Sequence, residues 1–352
     1  MEIFNPAKLE DLRENCKTIN GDVTFSKDWE GDINLDGVEI ITGWLWYFGC
    51  CEEHTSSCDV HKDAFNFSSS TLREVRGTVE IECANGLEHL KLPRLQNTTS
   101  FTMEKNKNVT EVDITDLTEA RLGVSLANMP SLRRIKNNGF THSTYEVYQR
   151  AIECSETPKL ESVGGLFSGS APADEVLSMT VHTQSNSDGI GNGTQKLEDF
   201  IVGWPNISNF EIQPMANIQL GNNETESMHI DHAIIDMGTS FSLGSKLEKL
   251  TIGSFEPAVL NDASEARTYD TIDVPSADHL EELEIRIEPR MNVSVKYFSL
   301  PEKAKKWDGL YLSLTMNQTE FRAKDEENKT IWHWPRNLTS VSLEGKFDKS
   351  LM

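Results

Sequence analysis

The sequence predicts a mainly β protein built as a parallel β-solenoid, and three observations point that way. A unit of the form apolar-x-x-apolar-x-Gly-x-apolar-x-apolar recurs. It reads Cys16-Ile19-Gly21-Val23-Phe25, then Val38-Ile41-Gly43-Leu45-Tyr47, then Leu72-Val75-Gly77-Val79-Ile81, with a shortened copy at Leu160-Val163-Gly165-Phe167. A related unit, apolar-x-x-apolar-x-apolar, fills much of the remainder: Leu87-Leu90-Leu92, Val109-Val112-Ile114, Leu197-Phe200-Val202, Ile207-Phe210-Ile212, Leu247-Leu250-Ile252, Leu280-Leu283-Ile285 and Leu338-Val341-Leu343, with Leu132-Ile135 as a weaker member. Third, amphipathic helical segments between these units are largely missing, which argues against a doubly wound sheet.

Each unit ends in strict alternation, the period of a half-buried strand. Several starts lie 22 or 23 residues apart, as at 16 and 38, 87 and 109, and 109 and 132. One such coil cannot bury its own apolar edge, but stacked coils share a continuous core. Wider gaps later in the chain read as insertions on a loop side.

In chain order, residues 1–15 form an N-terminal helical cap, with Asn5 as N-cap, Pro6 at the first helical position, and Leu9 and Leu12 facing inward. Residues 16–170 form a first solenoid segment and 171–195 a loop or linker. Residues 196–345 form a second segment continuous with the first, and 346–352 a tail. Two further short capping helices are expected at 143–154 and 301–307.

Composition narrows the function. The chain of 352 residues has 33 Lys and Arg against 56 Asp and Glu, a net charge of −23, and such a surface repels phosphate backbones, so no nucleic acid is expected as partner. Of 24 asparagines, ten open an Asn-x-Ser/Thr sequon: Asn66, Asn97, Asn108, Asn192, Asn206, Asn223, Asn292, Asn317, Asn328 and Asn337. With 58 Ser and Thr in the chain, chance would give about four, so the excess reads as glycan acceptors of a secreted protein. Six cysteines, Cys16, Cys50, Cys51, Cys58, Cys83 and Cys154, are disulfide candidates in an oxidising compartment, with 15 possible pairings. Residues 1–6 show no signal-peptide pattern and residues 345–352 no hydrophobic tail. The expectation is therefore an extracellular or cell-surface protein that reaches a membrane only through a lipid anchor not encoded in this chain.

The opening residues, Leu9-x-x-Leu12-x-x-x-Cys16-Lys-Thr-Ile19-Asn-Gly21-Asp-Val23 and Gly31-Asp-Ile33-Asn-Leu35-Asp-Gly37-Val38-x-x-Ile41-x-Gly43-x-Leu45, resemble the receptor L-domain pattern. More narrowly, they resemble fungal cell-wall proteins of the sporulation-specific protein 2 and extracellular-mutant group. The resemblance implies a right-handed solenoid with leucine-rich-repeat-like coils, heavy N-glycosylation, a glycosylphosphatidylinositol anchor, and a role in cell-wall organisation without catalysis. Wall polysaccharide or wall proteins would be the partners.

Among residues with chemistry, Trp44 and Trp46 share one strand face while Leu45 and Tyr47 share the other, so two outward indoles could stack on sugar rings. Trp332 and Trp334 repeat the arrangement. The set Cys51, His54, Cys58 and His61 could ligate zinc, but its spacing fits no zinc motif and disulfides are favoured there. In His229-Ile230-Asp231-His232, alternation puts His229 and Asp231 on one face and His232 with Ile230 on the other, so no converging metal site is expected. Gly189, Gly191 and Gly193, and the 238–246 stretch, fail the nucleotide-loop patterns. Asp32, Asp36, Glu111, Asp113, Asp116 and the Glu281-Glu282-Glu284 cluster are the carboxylates a polysaccharide-cleaving β-helix could use. None is singled out, so no catalytic, metal or cofactor residue is assigned. A β-helix carbohydrate-active enzyme and a receptor-type binding module are the alternatives.

Overall fold

The computed structural model describes residues 2–3, 5–25, 29–49, 63–141, 152–169, 177–182, 197–214, 216–235 and 239–257. Beyond these it gives the backbone of strands Arg267–Asp273, Glu282–Ile287, Val293–Ser299, Tyr311–Phe321 and Ser340–Phe347. The protein is mainly β, its parallel strands forming about nine solenoid turns, with one short helix among the described residues. Two units are distinguished: 1–169 with 180–195, and 170–179 with 196–352.

In the first unit each coil has three sides, and equivalent sides of successive coils pair as parallel ladders. One wall joins Thr18–Ile19, Ile40–Ile41, the leading parts of Glu74–Glu82 and Asn97–Glu104, and Glu119–Ala120. A second wall joins Glu2–Ile3, Val23–Phe25, Leu45–Phe48, the trailing parts of Glu74–Glu82 and Asn97–Glu104, Val124–Ala127 and Ile152–Ser155. The third joins Ile33–Asn34, Phe65–Ser68, Leu87–Lys91, Glu111–Asp113 and Arg134–Lys136. In-register pairing stacks like on like: Val23 on Leu45 on Val79 on Phe101 on Val124 on Ile152. With the exception of Cys16, every apolar repeat residue named above whose side chain is described is buried, whereas the repeat glycines are not. These aliphatic columns are the core, and removing them from water is the main stabilising term.

Three corner devices hold the coils in register. The repeat glycines stack: Gly43 N–H donates to Gly21 C=O at 3.1 Å and Gly77 N–H to Gly43 C=O at 3.0 Å. At another corner, the residues after the second-wall strands, Cys83, Lys105, Asn128 and Glu156, are left-handed, with φ of 54°, 57°, 54° and 52°. A non-glycine residue there costs on the order of 1 kcal/mol. Hydrogen bonds to the next coil offset this: Cys83 N–H to Glu104 C=O at 2.9 Å, Lys105 to Ala127 at 3.1 Å, and Asn128 to Ser155 at 3.0 Å. Third, buried asparagines satisfy turn backbone. Asn106 donates to Ile81 C=O and accepts from Ala84 N–H, both at 2.8 Å. Asn137 donates to the carbonyls of Ile114 and Leu117, both at 2.8 Å.

The helix Pro6–Asn15 begins as the sequence indicates, with Asn5 Oδ1 accepting from Lys8 N–H at 3.0 Å and Leu9 and Leu12 buried. Cys16 is not an inward rung: it is the helix C-cap, its N–H on Leu12 C=O at 2.9 Å, and it is half-buried.

The second unit repeats the ladder principle. Asn206–Ile212, Ser227–Ile235, Lys249–Pro257, Glu282–Ile287, Tyr311–Phe321 and Ser340–Phe347 pair in parallel, stacking Ile230, Ile252, Ile285, Leu314 and Leu343. Leu197–Val202, Ala216–Leu220 and Ser240–Leu243 form a second ladder, and Arg267–Asp273 with Val293–Ser299 a third pairing.

Three expectations need correction. The end of the helix expected at 143–154 is instead the strand Ile152–Ser155, because Ile152 and Cys154 alternate inward onto Val124 and Leu126. Within the 171–195 stretch read as loop, Leu177–Val181 is a strand. The last strand runs to Phe347, past the expected boundary at 345. The 301–307 helix lies outside the described residues.

Candidate functional site

The Leu45–Phe48 strand positions the most distinctive surface of the first unit. Leu45 and Tyr47 are buried and opposite side chains point out, as alternation requires. Trp44 is 42% exposed, Trp46 36% and Phe48 46%. Among the described residues only Leu122 joins them as an exposed large hydrophobic, so three of the four sit on one short segment. The two indoles meet edge-to-face, with ring centroids 4.7 Å apart and planes at 85°, an arrangement favoured by their quadrupoles.

Two fixed contacts seat these rings. The Trp44 backbone N–H donates to Asp22 Oδ1 at 2.8 Å, and its indole lies against Gly77, where a Cβ would overlap the ring. Trp46 pairs in register with Glu80 and donates its indole N–H to that carboxylate. Phe48 pairs with Glu82, and Glu82 with Glu104. Lys105 Nζ bridges the last two, at 3.2 Å from Glu82 and 2.9 Å from Glu104.

Burial pushes the Glu80 carboxyl above the usual carboxylate range, Glu82 and Glu104 push the same way, and the Trp46 bond opposes them. A carboxyl raised in the folded state is ionised at the expense of folding, a loss that begins as pH rises past the ordinary carboxylate range and is complete above the folded pKa. Glu80→Gln should therefore raise the thermal midpoint at neutral pH. The gain should vanish below about pH 4, where an ordinary glutamate is itself protonated. Differential scanning fluorimetry at both pH values checks this, and a lower midpoint for Glu80→Gln at neutral pH would contradict it.

The remaining candidates are dispersed. His229 Nε2 and Asp231 Oδ1 are 2.7 Å apart and both exposed. His232 does not share the inward face of Ile230: Asp231 and His232 both stay outward where the strand turns a corner, and Ala233 is the next buried residue. Asp36 and Asp32 are structural. Asp36 Oδ1 accepts from Ser70 N–H at 2.5 Å and Ser70 Oγ at 2.9 Å. Asp32 Oδ1 accepts from Asn66 N–H at 2.7 Å. Glu111 and Asp113 face Lys136 at 3.0 and 3.9 Å. Among the described residues no group of three His, Cys, Asp or Glu side chains is placed to hold a metal ion.

Of the sequons, Asn66, Asn97, Asn108, Asn206 and Asn223 are half-buried or exposed. Asn108 Nδ2 donates to Asn85 C=O at 2.6 Å, and a glycosylated amide would retain one N–H for such a bond. Asn317 lies in a strand described only as backbone, and Asn192, Asn292, Asn328 and Asn337 lie outside the described residues. Cys83 is disulfide-bonded. Cys16 and Cys154 are free thiols, so these two depart from the disulfide expectation, and burial drives the Cys154 thiol up to about 12. Cys50, Cys51, Cys58, His54, His61, Trp332 and Trp334 lie outside the described residues.

In the second unit a surface depression of about 350 Å³ is lined by Asp199, Ile201, Asn217, Gln219, Phe241 and Ser242, among others. Asp199 is left-handed at φ 57°, where the ladder slips between Leu197 and Phe200. The depression's lining mixes these polar groups with Phe200, Ile201, Ile218 and Phe241, none of which is among the exposed large hydrophobics of the described residues. Sequence reasoning named Trp44 and Trp46 but missed Phe48, although the same alternation places it beside them. It also missed Glu80, whose pairing with Trp46 spans 34 residues. Comparison with protein-family models, curated proteins and solved structures gives no match for this chain.

Proposed function

We propose that this protein is a non-enzymatic, extracellular cell-surface glycoprotein that supports fungal cell-wall organisation and integrity, and that it does so by binding wall polysaccharide on the outward face of Leu45–Phe48. The observation that carries the reading is the concentration of exposed aromatic surface at Trp44, Trp46 and Phe48. Apolar area of this kind is ordinarily buried. Held by Asp22, Gly77 and Glu80, the rings keep their geometry without a ligand, which lowers the entropic cost of stacking a sugar on them. The resemblance of the first 45 residues to receptor L-domain wall proteins supplies the setting, and the accessible sequons are compatible with glycan acceptors.

The test is retention of the intact chain on insoluble glucan and chitin. The double variant Trp44→Ala/Trp46→Ala should lose roughly tenfold or more of that retention, since two aromatic contacts together contribute about 1–3 kcal/mol, with its circular dichroism unchanged. Equal retention of the folded variant would overturn the assignment. Release of reducing sugar from either polymer would overturn the non-enzymatic part and favour a β-helix carbohydrate-active enzyme.

A further inference from the structure

The surroundings of the two tryptophans indicate which polymer suits them, an inference that rests on the polysaccharide reading above and narrows it. Trp46 opposes Glu80, Phe48 opposes Glu82, and Glu104 follows Glu82 one coil further on. Three carboxylates thus border the rings, and Lys105, paired with Glu82 and Glu104, is the cation bridging two of them. The whole chain carries −23. An exposed indole face beside carboxylates is the combination that holds a cation, since the π face attracts it and the carboxylate gives a charge-assisted hydrogen bond. A neutral glucan would use the rings but leave the carboxylates idle, and an acidic polymer would be repelled.

A basic peptide fits less well. The Leu45–Phe48 strand is hydrogen-bonded on both sides, to Val23–Phe25 and to Glu74–Glu82. It therefore has no free edge for an extended peptide to pair with. Recognition must come from side chains on a flat wall, which suits the face of a sugar ring better than a backbone.

We infer that the Trp44–Trp46–Phe48 face binds a cationic amino-sugar polymer, a chain of unacetylated glucosamine, with pyranose faces on the indoles and ammonium groups on Glu80 and Glu82. The experiment compares retention of the intact chain on deacetylated chitin, fully acetylated chitin and β-glucan at mildly acidic pH. The expected result is about tenfold stronger capture on the deacetylated polymer, falling in about 0.5 M salt, where the Debye length is short. Glu82→Gln, which leaves the contacts that seat the rings in place, should weaken that preference while keeping any retention on the neutral polymers, and Trp44→Ala/Trp46→Ala should lose both. Equal capture on the acetylated and deacetylated forms, or a preference unmoved in Glu82→Gln, would overturn the amino-sugar assignment and leave the polysaccharide reading standing. Capture on none of the three would overturn both. If polylysine displaces the protein and the tryptophan variant is captured as well as the original, net charge alone explains the preference and the inference fails.

Discussion

Asn137→Ala is expected to lower the stability of the first unit by about 3 kcal/mol, which for a unit of this size moves the thermal midpoint down by roughly 6–12 °C. Asn137 is 6% exposed. Its amide donates to Ile114 C=O and Leu117 C=O, and its Oδ1 accepts from Gly139 N–H, all at 2.8 Å. Alanine would leave two carbonyls and one N–H of a buried turn without these partners, and stranding a buried polar group costs more than the bond itself contributed. Calorimetry on the purified variant checks this. A drop below about 2 °C would show that water enters the turn and takes over the bonds.

Gly43→Ala should act as strongly by a different route. A Cβ at Gly43 would overlap Asp22 Oδ1 and lie 2.5 Å from the Gly21 carbonyl carbon and 2.6 Å from Asp22 N. Two of these three are backbone atoms of the preceding coil, so no rotamer change relieves the contact and the coils must part at that corner. The expected loss is about 2–3 kcal/mol, read as a lower midpoint in urea with unchanged slope. Because the same corner carries the Trp44 N–H to Asp22 bond, tryptophan fluorescence should shift with it. A midpoint equal to the original would mean that the glycine column is not in van der Waals contact.

The solenoid was legible because its driving term repeats along the chain. Val38, Ile41, Leu45 and Tyr47 have the same offsets as Leu72, Val75, Val79 and Ile81, and both sets are buried. The repeat glycines were legible as positions, but the reason for them, backbone stacking on backbone, needs three dimensions. The left-handed column was hidden: Cys83, Lys105 and Glu156 are not residue types that favour φ near +55°, and the bonds that hold Cys83 and Lys105 there come from the next coil. Cys16 misled because it occupies the first repeat position in sequence while serving the helix as a cap. At the candidate site the outward tryptophans followed from alternation alone. Their carboxylate partners did not, since Trp46 and Glu80 pair across 34 positions, where the 22-residue spacing seen elsewhere would not align them.

The ladder hydrogen bonds of the first unit run from coil to coil along the stacking direction, as in the bonds from Cys83 to Glu104, Lys105 to Ala127 and Asn128 to Ser155. A pull applied along that direction loads a few of these bonds at a time, so the unit yields by peeling rather than by one rupture. Each coil of about 22 residues that comes away frees roughly 75 Å of slack chain. A protein tethered within a stretching matrix would thus lengthen stepwise under tension, with the remaining coils still stacked.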